Sequence, residues 1–282
     1  MVLMSETQSL LQLIGVNKAF AAGTTDEVKA LDNINLDVNA GDFITIIGSN
    51  GAGKTSLLNI IAGVYPPDKG GKIIINNRDI TNLIEHKRAQ YFGRVYQDPS
   101  IGTAAKMTIG ENLSLAIARG RSRGLGIATT KRRLTHFREI LATLQLGLED
   151  RLNTLVGTLS GGQRQALALV MATISRPSVL LLDEHTAKLD PNTAGIVLKL
   201  TENIVSKEKI TAIMVTHNME HALTYGNRLL MMHKGRTIVD LNYQQRRDIN
   251  VIDLLAAFER ASGEQLADDS ILLSTSKPSD KN

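Results

Sequence analysis

The chain of 282 residues contains no cysteine. That excludes a disulfide framework and a thiolate metal site, and a reducing compartment is the easier home for it. Long apolar runs are missing as well. None approaches the roughly 20 residues needed to span a bilayer, and the longest, such as VLLL at 179–182, have the length of a buried strand. The N-terminal stretch MVLMSETQSLLQLIG lacks the cationic region and apolar segment of a signal peptide. The expectation is therefore a cytoplasmic chain that can still sit on a membrane partner. Excess charge is small, at +4 net, too mild to argue for nucleic acid. Part of that excess is local: between Glu111 and Glu139 lie Arg119, Arg121, Arg123, Lys131, Arg132, Arg133 and Arg138 with no acid among them. A solvated loop and helix face explains such a run, and contact with anionic headgroups or an acidic partner surface is the alternative. No internal repeat is visible.

What is present is a chain 43% hydrophobic and 21% charged, enough for one large domain or two ordinary ones around a real core. Apolar strands alternate with helical patterns, as in a parallel α/β sheet. DFITIIG (42–48) reads as a strand and KTSLLNIIAG (54–63) as the helix after it, stopped by Gly63 and Pro66-Pro67. In GKIIINNRDI, Asn76-Asn77 tolerates the positive φ of a tight turn and predicts a hairpin. SVLLLDE (178–184) and ITAIMVTH (210–217) lack polar alternation, which fits the middle of a sheet covered on both faces. Residues 101–157 are mostly helical and basic, with the Gly-rich break RGRSRGLG, and suggest an inserted helical subdomain. NVIDLLAAFERA predicts one further helix, and the polar tail ending STSKPSDKN reads as disordered.

Three short motifs carry chemistry. GSNGAGKT, Gly48 to Thr55, fits G-x-x-x-x-G-K-[ST] directly after a strand and before a helix, the context that pattern requires. Its glycines let successive N–H groups wrap a phosphate with a helix dipole behind them. Lys54 would serve the β- and γ-phosphates and Thr55 would ligate Mg²⁺. In VLLLDEH, a buried strand delivers Asp183 and Glu184 to its C-terminal edge, where open α/β sheets bind ligands. Asp183 would belong to the magnesium shell, and Glu184 would polarise a water for attack on phosphorus. Adjacent carboxylates capping a helix are the plainer alternative. LSGGQ, Leu159 to Gln163, places two adjacent glycines behind a serine, a way to grip an anion through outward N–H groups.

With these motifs in this order, residues 10–240 resemble the ATP-binding-cassette (ABC) ATPases. The resemblance implies an α/β P-loop NTPase fold with a RecA-like core, an antiparallel β subdomain and a helical subdomain at about 101–165. A C-terminal helical extension at 241–265 and a tail at 266–282 would follow. ATP would be held by Gly48, Ser49, Asn50, Gly51, Ala52, Gly53, Lys54, Thr55 and Ser56. In that family two subunits pack head to tail, and the signature of one closes over the γ-phosphate held by the other. Here that assigns Ser160, Gly161, Gly162 and Gln163 to the partner's nucleotide, through the exposed N–H groups of the glycines.

The family's other positions fall, by resemblance, on Gln97 as a magnesium and γ-phosphate sensor and His217 as the switch histidine of catalysis. Asp190 falls in the loop between the two active sites, and Phe20 on the aromatic that stacks on adenine. The alternatives are an exposed-loop role for Gln97, a capping or core role for His217 and a plain core role for Phe20. Two departures stand out. DEHTAKLD carries His185 where most members have proline, adding a titratable ring beside Glu184, and Lys188 puts a cation in a loop expected to face the partner's nucleotide. This arrangement, with MTIGENLSLA (107–116), resembles bacterial importer ATPases of the tryptophan and branched-chain amino-acid type. The implied protein is a homodimer peripheral to the cytoplasmic face of the cell membrane. It would work with an integral permease docked on residues 90–118 and an extracytoplasmic substrate-binding protein, without nucleic acid. The alternatives are an exporter or lipoprotein-release ATPase, or a soluble mechanical ATPase.

Overall fold

The structure is a computed structural model that describes residues 9–120 and 130–263. Residues 1–8 of the N-terminal stretch, the Gly-rich break around Arg121 and Arg123, and the tail at 266–282 lie outside the described residues. The chain divides into two compact units, one running to Asn82 and resuming at Ile213, the other Leu83–Ala212.

The first unit begins with β1 (Leu11–Phe20), β2 (Val28–Val38), β3 (Phe43–Ile47), α1 (Lys54–Ala62), β4 (Lys72–Ile75) and β5 (Arg78–Asp79). The second comprises α2 (Glu85–Arg88), β6 (Phe92–Val95), α3 (Pro99–Gly102), α4 (Ile109–Ile117), α5 (Lys131–Ala142), α6 (Gly161–Thr173), β7 (Val179–Asp183) and α7 (Pro191–Glu208). After β8 (Thr211–Val215) the first unit closes with α8 (Met219–Thr224), β9 (Arg228–His233), β10 (Arg236–Leu241), α9 (Tyr243–Arg247) and α10 (Val251–Ser262).

In the first unit an antiparallel sheet has the order β2-β1-β4-β5. The hairpin between β4 and β5 turns through Asn76 and Asn77 at φ 48° and 60°, as the sequence predicts. Beside it in the chain, β3 pairs in parallel with β9, Ile46 opposite Leu230, and β10 closes that edge antiparallel to β9. All five residues of β3 and of β8 are buried, which explains why neither shows polar alternation. The C-terminal helix α10 is part of this core. Leu254 and Phe258 pack with Ile47, Met219 and Met231. Arg246 of α9 is buried too, and its guanidinium donates to the Ala222, Leu223 and Gly226 carbonyls at the end of α8. A helix end otherwise leaves such carbonyls without partners.

In the second unit β6 and β7 pair in parallel, Arg94 opposite Leu181, and β7 is buried throughout. The helices form their own core around Leu113, Phe137, Leu141, Leu152, Leu167 and Val170. α4 starts in a capping box, in which Glu111 N–H donates to Thr108 Oγ1 and Thr108 N–H donates to Glu111, so the T-I-G-E run sets the helix start locally. No helix among the described residues is long and apolar enough to cross a membrane.

Candidate functional site

The first unit carries the glycine-rich loop between β3 and α1. α1 begins at an N-cap, Gly53, with φ 100° and no side-chain capping bond. A Cβ at Gly53 would run into the Ala30 carbonyl oxygen, so the close approach of β2 demands glycine as much as the backbone angle does. The N-terminal amides of α1 carry the positive end of the helix dipole, equivalent to about half a charge. Lys54 follows at once. It is only 6% exposed, and its ammonium donates to the Gly48 and Ser49 carbonyls at 2.7 and 3.0 Å. A buried cation is thus held at the loop by backbone oxygens, close to the amides that an anion would meet. Thr55 is exposed beside it and Ser56 half-buried.

His217 follows β8 in this unit, half-buried. The next residue, Asn218, caps α8 by accepting from His221 N–H at 2.8 Å. Thr45 Oγ1 donates to Ala222 O at 3.0 Å, so β3, Thr45 and Arg246 together fix the helix behind His217. Burial pushes the His221 imidazole below its ordinary pKa, against Glu220 and helped by the neighbouring His217. Phe20 ends β1 with its ring edge-on to Tyr65, centroids 5.4 Å apart, and with Lys18 Nζ 5.7 Å away. Tyr65 belongs to no motif, yet it doubles the aromatic surface beside Phe20; its only sequence signal is a ring directly after a helix stop.

The second unit brings Gln97, Asp183 and Glu184 together. Gln97 Nε2 donates to Glu184 Oε2 at 3.4 Å. Asp183, 7% exposed, forms an ion pair with Arg94 at 3.5 Å, and the Arg94 guanidinium lies 4.5 Å from the Tyr96 ring. Arg94 carries no motif signal and becomes visible only once β6 lies beside β7. Glu184 has φ 43°, unusual for a residue with a Cβ and typical of positions held by their surroundings for function. Asp190 caps α7 through Thr193 N–H at 3.1 Å, and hydrogen bonds from Thr193 hold its carboxyl below the usual range. Lys188 pairs with Asp98 at 3.2 Å. Asp98 is lowered to about 2, first by Ser100 and then by Lys188.

The ring of His185, the residue next to Glu184, turns inward and is buried against α7, with Nε2 3.0 Å from Thr201 Oγ1. One expectation is corrected here: the signature glycines are not equally exposed. Gly161 is exposed but Gly162 is buried, because α7 crosses so closely that a Cβ there would strike the Thr193 methyl. Ser160 and Gln163 form a capping box for α6, both bonds at 3.3 Å, and Gln163 Nε2 reaches Leu146 O. Gly162→Ala is therefore expected to cost about 1–3 kcal/mol of stability through overpacking. Adding Thr193→Ser, which deletes the obstructing methyl, should restore most of it in thermal unfolding. An additive double variant would show that the contact is not the reason for the glycine.

Residues 31–187 match the family described as ABC transporter. The chain belongs to that family. The ATPase is 43% identical over 252 residues to a tyrosine transport ATP-binding protein of Clostridioides difficile, covering 89% of this chain and 100% of the relative. It is 34% identical over 234 residues to a methionine import ATP-binding protein of Rhizobium etli, 82% of this chain and 60% of the relative. Among solved structures it is similar to a dimeric ATP-binding cassette in a post-hydrolysis state bound to ADP and Pi, with TM-score 0.71 and 27% identity over 83% of this chain and 98% of the other. The fold is accordingly that of the P-loop ABC cassettes, and the chain is the ATP-binding, ATP-hydrolysing subunit of a transporter.

Proposed function

We propose that this ATPase powers import of an amino acid, as a peripheral homodimer beneath an integral permease served by an extracytoplasmic binding protein. The observation that carries the reading is the match to the tyrosine transport relative, which runs the full length of that protein.

In this reading Gly48 to Ser56 hold the triphosphate. The Lys54 ammonium, kept in place by two carbonyls of its own loop, exchanges them for phosphate oxygens. Phe20 supports the adenine. Among the described residues no group of three or more His, Cys, Asp or Glu side chains could cage a metal; in this reading the ion shares nucleotide oxygens with a few protein oxygens. That is how Mg²⁺ is usually held, and the hydroxyl of Thr55, the amide oxygen of Gln97 and the carboxylate of Asp183 are hard donors that suit it. Bound Mg²⁺ would neutralise charge on the phosphates. Glu184 accepts the proton of the attacking water, with Gln97 hydrogen-bonded to its carboxylate and His217 as the second catalytic group. Ser160, Gly161 and their neighbours close over the nucleotide held by the partner copy, and Asp190 belongs to the loop between the two centres.

A docking place for the permease is supported within the second unit. Thr103, Ala104, Asn112 and Met171 line a cavity of about 380 Å³, flanked by Ile101 and Leu115, which are 67% and 46% exposed despite being apolar. Exposed apolar residues around a concave surface mark a partner site. The test is a double substitution, Ile101→Glu with Leu115→Glu, in cells carrying the permease. The wild-type chain is expected to purify from membranes with a stoichiometric multi-spanning subunit, and the variant to lose it while binding ATP normally. Recovery of the wild-type chain with ribosomes or DNA instead would reject the transport reading.

A further inference from the structure

We propose that His185 and Thr201 form a buried latch that positions Glu184 for catalysis. The proposal rests on the reading of Glu184 as the group that accepts the water's proton.

At Glu184 the chain leaves β7 and turns through φ 43°. A residue with a Cβ stays in that region only where its neighbours over-determine it. The neighbour on one side is the buried end of β7. On the other side is His185, 2% exposed, whose Nε2 lies 3.0 Å from Thr201 Oγ1. Thr201 is itself 1% exposed, in the middle of α7. Its single hydroxyl proton is donated to Val197 O at 2.8 Å, so toward the imidazole the oxygen can only accept. Both bonds are made together in the tautomer in which the His185 ring donates through Nε2–H, and the latch uses that tautomer.

This fixes one end of the short segment between Glu184 and α7. The other end is fixed by Asp190, which caps α7 through Thr193. Between them the chain turns tightly, with Ala187 N–H donating to Glu184 O at 3.0 Å and Leu189 N–H donating to Thr186 O at 3.2 Å. The residue next to Glu184 is thus tied to an 18-residue helix rather than to solvent. Without the tie, the backbone at Glu184 can relax toward an ordinary conformation and carry the carboxylate away from the water whose proton it accepts. A displacement of an ångström is enough to cost rate. His185 acts through Glu184 and touches no substrate; it is a positioning residue.

Thr201→Val keeps the shape of the side chain and deletes the hydroxyl, and with it both the bond to His185 and the bond to Val197 O within α7. In the full-length ATPase it is expected to lower kcat about three- to tenfold, the scale of one hydrogen bond, with KM for ATP and calorimetric ATP affinity unchanged. Thr201→Ser keeps the hydroxyl and should restore kcat. His185→Gln, which places an N–H donor at a similar reach, should retain more activity than His185→Phe, which fills the space without donating. Unchanged kcat in Thr201→Val, or a fall in melting temperature with no change in kcat, would overturn the latch. Equal loss in Thr201→Ser and Thr201→Val would overturn it too. Glu184→Gln separates the two ideas: if that variant turns over like wild type, the catalytic reading of Glu184 fails and takes the latch with it. If it is inactive while Thr201→Val is fully active, the latch alone is wrong.

Discussion

Glu184→Gln is expected to lower kcat for ATP hydrolysis by about 100- to 1,000-fold, the range a positioned general base contributes, while leaving ATP affinity unchanged. The substitution preserves size and the reach of Gln97, whose amide lies 3.4 Å from the Glu184 carboxylate. A glutamine tolerates φ 43° as well as a glutamate does, so the fold has no reason to change. What disappears is the ability to accept a proton. In the proposed dimer ATP is contacted from both subunits, so its persistence should shift the population to the closed form. Single-turnover kinetics and gel filtration with ATP check both halves. Near-normal turnover, or monomers alone in ATP, would remove Glu184 from the reaction.

Lys54→Ala should weaken ATP binding about 10- to 150-fold, corresponding to the roughly 1.5–3 kcal/mol of a hydrogen bond to a charged group. The loss has a second component. The Gly48 and Ser49 carbonyls that the ammonium bridges would face each other without a cation, so the empty loop should also become less ordered. Calorimetry with ATP in Mg²⁺ buffer measures the first effect, and amide exchange over residues 48–56 the second. Unchanged affinity would mean that this loop does not hold the phosphates.

Both effects are legible in the amino-acid order, because Glu184 and Lys54 sit in contiguous motifs. A strand, a glycine turn and a helix N-terminus follow one another within Phe43 to Ala62, and their geometry is set by neighbours in the chain. The same holds for the Asn76-Asn77 turn and for the buried strands β3, β7 and β8, whose unbroken apolar runs announce them. Strands β1 and β2 are harder to see. They are 10 and 11 residues long and pair with register shifts at Leu13/Val16, Val16/Lys18 and Lys18/Ala19, which break the period-2 pattern.

The amino-acid order by itself determined the family, through a glycine-rich loop, strand-end carboxylates and a signature each written in adjacent residues whose local conformation follows from their own chemistry. Which way a side chain faces once distant segments meet was decided only by tertiary packing. Arg94 reaches Asp183 because β6 lies beside β7. Gly162 is small because Thr193 arrives from α7, and His185 turns inward to meet Thr201 of the same helix. Contacts of that kind join positions far apart in the chain, so no local pattern records them.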